Sequence, residues 1–216
     1  MIDSISIKTI ENSQSIVFYG FKIVVFPRVY YPSDDSYMIA DFLYSLNNEY
    51  EYGLDIGCGC GILTLMLTRI CKHVIAIDVS SLATKNTFYN VKLNGLQQKV
   101  SVIRGDLITS IKFKPIFDII TFNPPYLPMN DFDKYVYEEE LRMWCGGFNG
   151  RLLLDRFLDT FKNILKPSGE VLLLQSSLSD HKKTIDKLTN MGFKISIISE
   201  KSFFYEKLYL FKVTLA

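Results

Sequence analysis

Short β-rich runs bounded by glycine or aspartate take turns with segments of helical period along this 216-residue chain, and that alternation narrows the fold more than any other feature. Residues 52–56 read as a strand and 62–70 as a helix, 73–77 as a strand and 80–93 as a helix, with further strands at 100–103 and 117–122. After residue 149 the pattern resumes with a helix at 151–165, a strand at 170–175 and a helix at 180–189. Strands at 193–199 and 207–214 then follow one another with no helix between them. Strand–helix alternation implies crossover connections, hence an α/β fold with a mostly parallel sheet and helices on both faces. The last two strands suit an antiparallel partner at the sheet edge. At the other end, 16–26 reads as an extended segment or hairpin, a short β extension ahead of a helix at 37–46. That helix puts Met38, Ile39, Phe42, Leu43 and Leu46 on one face, with Ser33, Asp34 and Asp35 as capping residues before it.

Composition excludes several classes. Lys and Arg number 24 against 23 Asp and Glu, a formal charge of +1, so the broad basic field of non-specific nucleic-acid binding is missing and a nucleic-acid partner is not expected. A hydrophobic fraction of 48% with 22% charged residues is ample for a core and argues against disorder. Lys, Asp, Asn or Pro interrupts every apolar run before the roughly 18 residues of a membrane span, so no membrane association is expected. Met1-Ile2-Asp3-Ser4 lacks the start of a signal peptide. Cys58, Cys60, Cys71 and Cys145 do not form the framework of a secreted scaffold, which points to a reducing cytoplasm. Without repeats, low-complexity tracts or linkers, residues 1–216 are expected to form a single domain.

The chemistry concentrates at two strand ends. Leu54-Asp55-Ile56-Gly57-Cys58-Gly59-Cys60-Gly61 is a strand, a glycine-rich turn and the start of a helix, the layout for a nucleotide-like ligand to which the backbone comes close. Asp78 ends the next strand, 21 positions after Gly57, where a carboxylate accepts hydrogen bonds from ribose hydroxyls. A pyrophosphate would be repelled by Asp55, Asp78 and Asp106, which all fall at or just past strand C-terminal ends. The glycine spacing 57, 59, 61 also departs from the G-x-G-x-x-G dinucleotide pattern. A ribonucleoside with a sulfonium, an ammonium group and no phosphate, S-adenosylmethionine, fits this lining better than NAD.

The second feature is Asn123-Pro124-Pro125-Tyr126, directly after the strand at 117–122. Consecutive prolines stiffen the backbone, and Pro124 presents a carbonyl beside the side-chain oxygen of Asn123. Two acceptors hold both hydrogens of a planar NH2 group while the Tyr126 ring covers its face. The target is an amide or an exocyclic amine, although Asn-Pro also marks ordinary turns.

These motifs resemble the class I S-adenosylmethionine-dependent methyltransferases, whose members acting on planar nitrogen carry Asn-Pro-Pro-Tyr. Two further segments, Arg28-Val29-Tyr30-Tyr31-Pro32-Ser33-Asp34-Asp35-Ser36 and Trp144-Cys145-Gly146-Gly147-Phe148-Asn149-Gly150-Arg151, look like the archaeal and eukaryotic branch of the release-factor glutamine methyltransferases. Tyr31 departs from that branch, where an acid is common. The resemblance implies a Rossmann-like, seven-stranded sheet with an antiparallel C-terminal strand. It implies N5-methylation of the glutamine in the Gly-Gly-Gln tip of a class I translation termination factor. It further implies cofactor contacts at Ser36, Asp55, Gly57, Gly59, Gly61, Asp78, Asp106, Leu107 and Asn123, catalytic roles for Asn123, Pro124, Pro125 and Tyr126, and a heterodimer with a small zinc-containing activator subunit. The alternative is an N-methyltransferase acting on a flipped-out adenine or guanine of RNA or DNA.

Weaker signals have blander readings. Cys58, Cys60, Cys71 and His73 are spaced too tightly for a usual zinc site, and no metal is expected. His181 lies in a polar helix and is expected to be solvated. The acidic stretch 131–142 would repel phosphate or simply face solvent. Arg151 and Arg156 are expected to pair with acids on a helix surface.

Overall fold

The computed structural model describes residues 7–131 and 133–216. They group into two compact units, one ending at Ser110 and the other running from Ile111 to Ala216.

The first unit contains α1 (Ile7–Glu11), β1 (Gln14–Phe18), β2 (Phe21–Val25), α2 (Asp34–Ser45), β3 (Tyr50–Ile56), α3 (Ile62–Leu67), β4 (Cys71–Asp78), α4 (Ser81–Leu93) and β5 (Val100–Arg104). The expected hairpin is present: Phe18 pairs with Phe21 around Tyr19-Gly20, whose φ values of 45° and 87° make the turn that matches strand twist. Helix α2 begins three residues earlier than its apolar stripe implies. Asp34 and Asp35 lie in its first turn, where carboxylates complement the helix dipole, and Ser33 is the N-cap. Strands β3, β4 and β5 are parallel. Their core comprises Leu54, Ile56, Ala76 and Ile77 with Ile39, Leu43, Leu65, Met66 and Val91 from the helices. Helix α3 is shorter than expected because Thr68 donates its hydroxyl to the Leu65 carbonyl at 2.6 Å and the chain turns out of the helix.

The second unit contains β6 (Phe117–Phe122), α5 (Glu138–Leu141), α6 (Leu152–Thr160), β7 (Leu165–Ser176), α7 (His181–Asn190), β8 (Phe193–Ser202) and β9 (Lys207–Leu215). A file of rings, Phe122, Phe157, Phe161 and Phe193, runs through its core with centroids 4.6, 5.2 and 5.0 Å apart. Helix α6 ends at Thr160 and passes into a 3-10 turn at Phe161–Asn163, so β7 starts at Leu165, earlier than the expected 170.

The main sheet has seven strands in the order β5-β4-β3-β6-β7-β9-β8, mostly parallel, with β9 antiparallel to both of its neighbours. This is the class I methyltransferase arrangement. The antiparallel strand lies one place in from the edge, because Leu208, Leu210, Phe211 and Val213 of β9 are buried whereas β8 is mostly exposed. An inner strand needs apolar residues for both faces; an edge strand does not.

Candidate functional site

In the first unit, the glycine turn is fastened to the end of β4. The amides of Gly57 and Cys58 donate to the Ile77 carbonyl at 2.8 and 3.0 Å, and the Gly59 amide donates to Asp78 Oδ2 at 3.0 Å. Gly57, Gly59 and Gly61 all have positive φ, at 72°, 54° and 88°, a conformation that costs other residues about 1–2 kcal/mol. A Cβ on Gly61 would meet Thr87 Cα at 3.2 Å, so glycine is what lets this turn lie against α4. A Cβ on Gly59 would meet the Gly57 carbonyl oxygen only at 4.0 Å, an ordinary contact.

Asp78 completes this constellation. Its Oδ1 accepts from the Ser80 amide at 2.8 Å, and its main-chain carbonyl accepts from the Gly105 amide at 2.9 Å, which brings the Gly105-Asp106 corner beside it. Desolvation pushes its carboxyl above the ordinary aspartate value, against the backbone donors of Ser80, Gly59 and Val79 that pull it down. Its charge is incompletely compensated, and two ribose hydroxyls would supply the missing donors. The turn and Asp78 therefore fit a nucleoside cofactor.

The other residues expected to contact the cofactor are placed differently. Asp106 is exposed, and Leu107, buried next to it, has φ of 51°, a strained conformation of the kind that accumulates at ligand sites. Asp55 is fully buried and accepts from Thr64 Oγ1 at 2.5 Å, bracing α3. Ser36 lies in the first turn of α2 and donates through its hydroxyl to Asp35 at 3.1 Å. Asp35, at 2% exposure, also accepts from Tyr30 Oη at 2.9 Å. No sequence signal distinguishes this buried acid from Asp34 beside it.

Burial drives the turn's thiols away from ionisation: Cys58 lies well above its ordinary value, and Cys60 is pushed up to about 12. Both remain neutral and serve as filler, with Thr87 Oγ1 donating to Cys58 Sγ at 3.2 Å and to the Gly59 carbonyl at 2.9 Å.

In the second unit, Asn123 follows β6 at the carboxyl end of the strand. Its Oδ1 is buried and has no hydrogen-bond partner. Pro124 and Pro125 have no N–H, so the main chain there can only accept. The segment after Tyr126 is laid against a second one: the Leu127 amide donates to Trp144 O, the Gly146 amide to Leu127 O and the Met129 amide to Gly147 O, each at 2.9 Å. Asp133 is buried and caps this loop, accepting from the Asn130 amide at 2.7 Å, so it is not part of a solvated acidic face.

Two surface expectations need correction. Arg151 pairs with an acid as expected, Asp155 at 2.8 Å, but at 2% exposure it is drawn inward by carbonyl acceptors and does not lie on a helix surface. The His181 ring packs on Tyr209 with centroids 4.6 Å apart, which shields it from full solvation.

Residues 39–142 match the methyltransferase small domain family. A Methanocaldococcus jannaschii protein assigned as a protein N5-glutamine methyltransferase is 36% identical over 191 residues, which are 88% of this chain and 93% of that one. The release factor glutamine methyltransferase of Clostridium botulinum is 30% identical over 167 residues, 72% of this chain and 56% of that enzyme. The solved E. cuniculi Mtq2–Trm112 complex, responsible for methylation of the eRF1 translation termination factor, is similar with a TM-score of 0.65 and 25% identity over 88% of this chain and 100% of that one. With its glycine-rich turn and Asn-Pro-Pro-Tyr segment placed at strand ends, and with a relative matched over nearly its whole length, this chain belongs to the protein N5-glutamine methyltransferase family.

Proposed function

We propose that the protein methylates N5 of the glutamine in the Gly-Gly-Gln tip of a class I translation termination factor. The observation that carries this reading is the buried, partnerless Oδ1 of Asn123. A buried acceptor without a donor is costly, and the NH2 group of a glutamine side chain would fill the vacancy. The names of the relatives favour a glutamine over a nucleobase amine.

S-adenosylmethionine is the cofactor and brings an electrophilic methyl group on a sulfonium. In this reading Asp78 holds the ribose, and the backbone of Gly57, Gly59 and Gly61 admits the ligand closely. Ser36, Asp55, Asp106 and Leu107 complete the cofactor side. Asn123 Oδ1 and the Pro124 carbonyl each hold one hydrogen of the amide, while Pro125 stiffens the segment and the Tyr126 ring lies over the amide plane. As the new N–C bond forms and the sulfonium S–CH3 bond breaks, its electron pair returning to sulfur as a neutral thioether, the two acceptors would stabilise positive charge developing on the nitrogen, whose surplus proton would pass to water. Positioning is the protein's main contribution, because amide nitrogen is a poor nucleophile.

Residues 1–216 would act as one methyltransferase domain, and the setting would be the cytoplasm. Among the described residues, no helix is long and apolar enough to cross a membrane. The partner in the E. cuniculi complex supports a small activator subunit here too, a zinc-containing one in our reading.

The test is transfer of labelled methyl from S-adenosylmethionine to a termination factor, to its Gln→Ala variant at the Gly-Gly-Gln tip, and to bulk tRNA and rRNA, with and without the activator. Label on the wild-type factor alone is expected. Label on RNA would move the assignment to an exocyclic amine.

A further inference from the structure

We infer that Arg151 is a positioning residue for the amide clamp, acting through the glycine strap Gly146–Gly150 that precedes it. The inference rests on the reading of Asn123 to Tyr126 as that clamp. It begins from two close approaches. A Cβ on Gly146 would stand 2.6 Å from the Pro125 carbonyl oxygen, and one on Gly150 would stand 2.2 Å from the Tyr126 carbonyl oxygen. The strap thus touches the backbone of the clamp itself, with Ser179 Cβ 3.0 Å from the same position on Gly150.

Contact alone does not hold a strap in place; the next residue does. The Arg151 guanidinium is buried and donates through one terminal nitrogen to Ser179 O and Asp180 O, both at 2.6 Å, and to Thr184 Oγ1 at 2.9 Å. Its other nitrogens reach the Asp155 carboxylate at 2.8 and 3.4 Å. Gln175 Nε2 donates to the same Ser179 carbonyl at 2.8 Å, which ties the hub to the end of β7. At the strap's other end the Leu152 amide closes onto Gly146 O at 2.8 Å. A guanidinium with a planar fork can serve this many acceptors at fixed angles; an ammonium cannot. The clamp backbone, which continues from β6, is therefore laid against a strap anchored on the turn into α7.

Arg151→Lys keeps the charge and loses the fork. Steady-state methylation of the termination factor, run well below the unfolding temperature, is expected to show kcat reduced on the order of tenfold or more. The cofactor Kd should stay within about twofold. A residue that only stabilises the fold would lower the unfolding temperature and leave kcat of the folded enzyme unchanged, and that result overturns the inference. Thr184→Val, nearly isosteric, removes one acceptor and carries the same test if Arg151→Lys does not fold: kcat falls several-fold, or the inference is wrong. Wild-type enzyme in parallel separates the failures. Wild type that labels no glutamine removes the clamp reading and this inference together. Wild type that labels glutamine, beside a variant with full kcat, removes the inference alone.

Discussion

Asn123 Oδ1 is buried without a hydrogen-bond partner, and a buried carbonyl oxygen left so costs about 1–3 kcal/mol; in the proposed reading the substrate N–H supplies that donor. Asn123→Ala is expected to lower turnover on the order of a hundredfold, to change cofactor Kd little, and to leave the unfolding temperature of the ligand-free protein equal or higher. A marked loss of thermal stability would mean that Asn123 is structural. Asp78 yields a pH prediction. Its pKa is raised by burial, and ribose hydroxyls donate best to the ionised form, so cofactor affinity should decline as pH falls through that raised value, earlier than a free aspartate would dictate. Titrating Kd by calorimetry checks this, and Asp78→Asn should flatten the profile at a weaker affinity.

Among the elements, α4 does something that apolar periodicity does not announce. Asn86, Asn90 and Asn94, spaced by four, read the backbone of β2: their Oδ1 atoms accept from the amides of Phe26, Val24 and Lys22 at 2.9, 2.9 and 3.0 Å. Four helical residues rise about 6.0 Å and two strand residues about 6.6 Å, so helix and strand stay in step over three contacts. Asn90 Nδ2 also donates to Cys60 O at 2.8 Å, linking the hairpin to the glycine turn. Asn90→Leu should therefore cost roughly 2–4 kcal/mol in urea unfolding and also weaken cofactor binding. Unchanged affinity would limit the ladder to a fastening role. Strand and helix alternation, the glycine turn with Asp78, and Asn-Pro-Pro-Tyr were all legible in the sequence because each is a local pattern of few residues. The ladder's partner and the burial of Arg151 were not, since the i, i+4, i+8 spacing of the asparagines marks one helix face without naming a strand about 60 to 70 positions away, and Arg151 finds its carbonyl acceptors about 30 positions downstream. The early start of α2 was hidden for another reason: apolar periodicity marks the buried face and says nothing of a first turn made of acids.

For the molecule as a whole, two aspartates give acid stability opposite signs. Burial is the largest influence on Asp155 and pushes its carboxyl up, but the hydrogen bond and charge of Arg151, with Lys183 and Lys187, hold it below the ordinary value. Its contribution to stability is complete above about pH 4 and is lost as pH falls through the lowered value. Asp78 is raised, so its ionisation disfavours folding, and that penalty is absent below about pH 4 and sets in as pH rises through the raised value. Between pH 2 and 4, Asp155→Asn should flatten the fall in unfolding free energy measured in urea, whereas Asp78→Asn should not. The place of β9 has a further consequence, for the order in which the chain folds during synthesis. Strands β3, β4 and β5 are neighbours in both sequence and sheet and can pair as they emerge from the ribosome. The outer edge of β7 and the whole of β8 must wait for β9, with Glu170 pairing to Thr214 far downstream. Until then β7 presents an open apolar edge, so a ribosome that stalls before Lys207 would hold out a nascent chain primed to aggregate.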